Sequence, residues 1–129
     1  MVVKRMDTGT ITAADTTAAG TIGTIYGKIL KVEVTASASS DFHLFIDASD
    51  IDDGNIVDEE VLGTAASKIT VNTTLVIYPV VAQYLTTNVI TDPDQYSPLI
   101  VGGRLEYDVA SVAANDTFRI VVWYEPLSG

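Results

Sequence analysis

The chain has no cysteine and a single histidine, His43, in 129 residues. Without thiols there is no disulfide, no cysteine nucleophile and no Cys-based metal centre. One imidazole excludes multi-histidine metal sites. Basic residues are scarce as well: seven Lys and Arg stand against 17 Asp and Glu, a formal net charge of −10. Binding to phosphates needs clustered Lys and Arg, and here they are scattered, so no nucleic-acid partner is expected. No apolar run approaches the roughly 20 residues of a membrane helix, so no membrane partner is expected either. Met1 to Met6 turns polar at once and does not read as a signal peptide, which points to synthesis in a cytoplasm.

What remains is a globular, strand-forming composition. The length fits one domain with an ordinary core. The apolar fraction is 47%, and Thr, Val, Ile and Tyr are abundant where helix formers are few. The strongest local signal lies in Gly103 to Glu125. Leu105, Tyr107 and Val109 alternate with Arg104, Glu106 and Asp108, and Phe118, Ile120, Val122 and Tyr124 alternate again further on. That is the period-2 pattern of half-buried strands. Ala113 to Asp116 supplies turn residues, with Asn115 able to take a positive φ. The expected element is a hairpin in which Leu105 faces Tyr124, Tyr107 faces Val122 and Val109 faces Ile120. Its outward face would then oppose Arg104 to Glu125, Glu106 to Trp123 and Asp108 to Val121.

Earlier in the chain, residues 1–23 read as an N-terminal arm and short strand, and residues 24–129 as a single β-sandwich domain. Lys4-Arg5 is the only adjacent basic pair, and Thr8 to Thr12, which holds Ile11, suits a sheet edge. The arm either reaches a neighbouring subunit or lies as a loosely packed leader. Thr24 to Thr35 is an expected strand, with Tyr26, Lys28, Leu30, Val32 and Val34 on one face and Ile25, Gly27, Ile29, Lys31 and Glu33 on the other. Gly27 marks a bulge or a close neighbour. Ala36 to Ser40 reads as a turn into a partner strand, Phe42 to Asp47. Lys68 to Tyr78 is the next strand, followed by Val80 to Tyr84 and a long loop over residues 85–98. Seven or eight short strands without a helical pattern predict an all-β fold, an antiparallel sandwich or jelly roll.

Residues 41–60 hold eight of the 17 acidic residues and no Lys or Arg. Asp47, Asp50, Asp52, Asp53, Asn55 and Asp58 are the one cluster of oxygen ligands that suits a hard cation such as Ca²⁺. The spacing fails the EF-hand loop: with Gly54 at position 6, Ser49 and Ile51 fall where carboxylates belong. A solvated acidic loop is the preferred reading, and no metal or cofactor is expected. His43 stands near Ser39, Ser40 and Asp41, but neighbours on a strand alternate faces and cannot converge as a catalytic triad. No enzyme is expected. Val121 and Trp123, by contrast, stand on the hairpin face that should be polar. Apolar side chains in such a place mark contact with another chain unless a second sheet or the arm covers them. The candidate interface residues are therefore Val121, Trp123, Lys4, Arg5 and Ile11.

The run Tyr78-Pro79, the stretch Tyr96 to Leu105 with its Pro98-Leu99 and Gly102-Gly103 pairs, and the stretch Arg119 to Glu125 together resemble small structural proteins of tailed viruses. The resemblance covers roughly residues 70–125; Trp123 stands where such chains more often carry a smaller residue. It implies a virion component made in a host cytoplasm, most readily a capsid decoration or cement protein. Such a protein would contact the major capsid protein or another virion protein and form homo-oligomers. A head–tail or tail accessory position is equally compatible. The alternative from another class is a carbohydrate-binding β-sandwich module.

Overall fold

The computed structural model describes residues 2–47, 59–82 and 96–127. They form nine strands: β1 (Lys4–Asp7), β2 (Ile11–Thr12), β3 (Thr17–Asp47), β4 (Glu59–Leu62), β5 (Ile69–Ile77), β6 (Val80–Ala82), β7 (Tyr96–Pro98), β8 (Ile100–Ala110) and β9 (Thr117–Pro126). The all-β expectation holds, with no helix among the described residues. Seven strands make one antiparallel sheet, open in the order β1-β9-β3-β4, with β2 on β9 and with β5 and β8 on β3; β6 and β7 pair separately.

The expected hairpin is not formed. β8 and β9 each alternate as anticipated, but each pairs with β3 instead of with the other. Arg104 lies beside Thr24 and Asp47, Glu106 beside Thr21 and Phe45, and Asp108 beside Ala19 and His43. β9 runs between β3 and the N-terminal strands, with Val121 beside Asp7 and Glu33 and Trp123 beside Arg5 and Lys31. The turn between β8 and β9 is as expected: Asn115 has φ 75°, and the Asp116 amide donates to the Ala113 carbonyl at 3.0 Å.

A second expected hairpin is replaced by one strand of 31 residues. Thr17 and Asp41 both stand opposite Ala110, and Thr24 and Asp47 both stand opposite Arg104. The two ends of β3 therefore run in the same direction along opposite edges of β8. Between them the chain turns back: Gly27 to Ala36 runs along β9, and Val32 to Ala36 also pairs with β5. The segment 36–40 bends with a register shift and does not close a hairpin. Thr17–Asp47 also runs straight through residue 23, where the arm was expected to end.

Two bulges decide which side chains β3 buries. Register shifts fall between Thr21 and Gly23 and between Ile29 and Lys31, leaving Ile22 and Leu30 as the extra residues. An extra residue inverts the face on which later side chains lie. Ile25 and Ile29 before the Leu30 bulge, and Val32 and Val34 after it, are consequently all buried in one core. The two-face assignment made from strict alternation is corrected by that single inserted residue.

The core joins β8 and β9, which do not pair with each other. The Phe118 ring from β9 meets Phe42 of β3 at 5.7 Å and Tyr107 of β8 at 5.6 Å, both edge-on. Fully buried side chains such as Phe42, Leu44, Leu105, Ile120 and Val122 each contribute about 1.5–3 kcal/mol, as an upper bound. Small residues make room for this packing. A Cβ on Gly27 would run into the backbone carbonyl oxygen of Glu125, and one on Gly20 would meet the Tyr107 hydroxyl. Gly27 thus has the close neighbour its mid-strand position implied.

Candidate functional site

The N-terminal arm is stitched to its own domain. β1 and β2 lie along the edge of β9, and between them the Thr8 amide donates to the Ile120 carbonyl at 3.0 Å while its hydroxyl accepts from the Ile120 amide at 3.0 Å. Asp7 accepts from Arg119 Nε at 2.8 Å and from the Gly9 amide at 2.8 Å. The guanidinium first, and the Gly9 N–H second, hold the Asp7 carboxyl well below the usual carboxylate range. Met6 packs over Gly23 and Ile11 packs against the core opposite Phe118. Lys4 and Arg5 are exposed, and Arg5 also reaches Asp7 at 3.1 Å.

This stitching organises the outward face of β9 into cross-strand rows. One row reads Arg5, Trp123, Lys31, with the Lys31 ammonium 4.5 Å from the indole centroid. The next reads Asp7, Val121, Glu33, Val76, and a third Arg119, Thr35, Thr74. Glu125 pairs with Lys28 at 3.7 Å, and Lys28 stands opposite Ile100. Val121 is only 6% exposed: between contact with another chain and cover by the arm, it is the arm and the flanking charged side chains that enclose it. Trp123 is half-buried under Lys31. The five interface candidates are thus split, with Lys4, Arg5, Val121 and Trp123 on β1 and β9 and Ile11 turned inward.

The same side of the sheet carries apolar side chains that sequence reading did not single out. Tyr26 is 63% exposed, Val76 40%, Tyr78 66%, Ile100 53% and Leu127 62%. Tyr26 stands opposite Gly102 with Lys28 and Ile100 in the neighbouring row, the Leu127 amide donates to the Tyr26 carbonyl, and Tyr78 follows the Val32–Ile77 pair. The carbonyl of Pro79 accepts from the Leu99 amide, whose own carbonyl accepts from Ile29. This brings the end of β5 beside the start of β8. One of these positions left a trace in the sequence: Tyr26, with Lys28, alternates against Ile25, Gly27 and Ile29. The Leu30 bulge, invisible to a period-2 count, then removes Val32 and Val34 from their face.

Around β8 the outward face differs. Asp41, Asp47, Glu60, Glu106 and Asp108 are set against Arg104 and Lys68, with Arg104 bound to Asp47 and Glu106 at 2.9 Å each and Lys68 3.8 Å from Asp108. A shallow depression of about 430 Å³ lies here, lined by Ala19, Gly20, Thr21, Phe45, Glu106, Tyr107 and Asp108. His43 is 4% exposed, stacks on Phe45 at 4.6 Å, and pairs through Nε2 with the Glu60 carboxylate. Burial raises the neighbouring Glu59 carboxyl above its ordinary value. Ser40 donates to the Ala38 carbonyl, and Asp41 accepts from the Thr70 hydroxyl, which holds its carboxyl low. Ser40, His43 and Asp41 thus bond to three different partners.

Of the acidic cation candidates, Asp47 is held by Arg104, while Asp50, Asp52, Asp53, Asn55 and Asp58 lie outside the described residues. No group of three or more metal-ligating side chains occurs among the described residues. No family model matches the chain, and no curated protein or solved structure matches it.

Proposed function

We propose that the chain is a non-enzymatic virion structural protein of a tailed virus, folded as a jelly-roll-like β-sandwich and acting as a capsid decoration protein. The observation that carries the reading is the sheet face with exposed Tyr26, Tyr78, Ile100 and Leu127 beside the Arg5–Trp123–Lys31 row. Exposed aromatic and aliphatic side chains with Arg among them are the composition of a protein–protein contact. The resemblance of residues 70–125 to virion proteins supplies the kind of partner, the major capsid protein. Many weak contacts repeated over a symmetric shell add up through multivalency.

A carbohydrate-binding role is less well supported. Sugars stack on a free aromatic face, and one face of Trp123 is already taken by Lys31. Incubation of the purified chain with shells assembled from the major capsid protein of a tailed virus, followed by sedimentation, tests the proposal. The chain should sediment with shells in a fixed ratio, and Tyr78→Asp should reduce that ratio. A chain left wholly in the supernatant overturns the decoration role, and one that sediments with tails instead selects the head–tail or tail accessory reading.

A further inference from the structure

The two outward faces are complementary in charge. The β9 face displays Arg5, Lys28, Lys31 and Arg119 against Asp7, Glu33 and Glu125, a local sum of +1 (4 − 3) in a chain whose total is −10. Among the described residues the β8 face displays five carboxylates against Arg104 and Lys68, a local sum of −3 (2 − 5). They lie on strands whose inward side chains meet at Phe118, Tyr107 and Phe42, so their outward sides point away from one another. One face is rich in protruding aromatics and cations. The other is a hollow with Phe45 and Tyr107 in its lining and Glu106 and Asp108 beside them.

We infer that the β9 face of one copy seats on the β8 face of a second copy, in a head-to-tail contact. Exposed Val76 and Tyr78, with Trp123 beside them, supply the apolar area, and the carboxylates of the hollow select a partner carrying Arg5 and Lys31. Opposite charge across such a contact sets specificity and association rate and makes both salt-dependent. Because the two faces differ, the contact is heterologous; it closes into a ring if the rotation allows and otherwise extends. The inference deepens the self-association expected of a virion protein and does not require the shell.

Light scattering of the purified full chain across a salt series, with Trp123 emission as a second readout, tests the contact. The chain should associate at low salt, and the association constant should fall at least about tenfold between about 0.05 M and about 0.5 M salt. Arg5→Glu/Lys31→Glu and Glu106→Lys/Asp108→Lys should each be monomeric alone. Mixed in equal amounts, they should associate, the intact β8 face of the first seating the intact β9 face of the second. Tyr78→Asp, at a side chain 66% exposed, gives the same loss if a charge variant fails to fold. A wild-type monomer at low salt overturns the inference, as does a mixture that stays monomeric. Association that survives both charge reversals but is lost in Tyr78→Asp overturns it too, because the apolar face would then be pairing with itself. Shell binding by a chain that remains monomeric sinks this contact and leaves the proposed function standing.

Discussion

β8 and β9 are nearly the same length and carry the same alternation, yet the fold treats them differently. β8 has one partner on both edges, since the first and last thirds of β3 flank it. β9 has the middle of β3 on one edge and, on the other, a strand from the chain's first residues. The first arrangement makes β8 a closed interior strand whose outward face gathers acid. The second leaves β9 dependent on an arm held by a few polar contacts, which adds Arg5 and Asp7 to a face whose other cations come from β3 and from β9 itself. Two strands alike in their inward alternation thus present different surfaces, set by their own outward residues and by the neighbours beside them.

The comparison is broken most severely at the core contact that both strands share. Phe118→Ala removes a ring touching Phe42 and Tyr107 and should cost about 3–5 kcal/mol, read as a lower denaturant midpoint. Gly27→Ala comes next. Its Cβ would strike the Glu125 backbone, which no rotamer can relieve, so a loss of about 2–3 kcal/mol is expected. Gly102→Ala meets only the edge of the exposed Tyr26 ring and should fold close to normally.

Asp7→Asn tests the arm alone. It should speed amide exchange at Met6 and Ile120 while leaving the β8 amides protected. Because the native Asp7 carboxyl is depressed by Arg119 and the Gly9 N–H, its contribution is fully present above the unfolded pKa of about 3.9. It is lost as pH falls through the lower native value. The stability gap between wild type and Asp7→Asn should therefore narrow steadily below about pH 4, and should narrow with added salt as well.

Thr73 in β5 sits at φ 80°, a conformation that costs a β-branched residue about 1–2 kcal/mol. Thr73→Gly should return about 1 kcal/mol of that strain and raise the melting temperature. The smallest effect expected is Lys31→Ala, about 0.5 kcal/mol for an exposed cation–π contact. Its sharper readout is a red shift of Trp123 emission as water reaches the uncovered ring face.

Much of the local structure was readable in the chain. Leu105, Tyr107, Val109, Phe118, Ile120 and Val122 are all buried as their alternation requires, and Tyr124 packs against the core with them. Asn115 takes the positive φ its side chain tolerates. Partner choice was not readable. An alternating strand satisfies its hydrogen bonds with any other strand of matching face, and a short turn such as Ala113 to Asp116 favours a hairpin without compelling one. The exposed face was hidden for a related reason: Val121 and Trp123 drew attention as apolar residues out of phase, whereas Tyr26, Tyr78 and Ile100 sat in phase with strands whose registers were unknown.

The sequence by itself determined that this chain is all-β, which side chains of β8 and β9 turn inward, and that cysteine and multi-histidine chemistry are closed to it. These follow from composition and from a backbone that alternates faces at every residue. Only the tertiary structure decided that 31 residues form one strand folded back on itself, that Leu30 shifts the buried face, and that the arm pairs with its own β9. Those outcomes depend on long-range pairing and on single inserted residues, whose energies are set by neighbours tens of positions away in the chain.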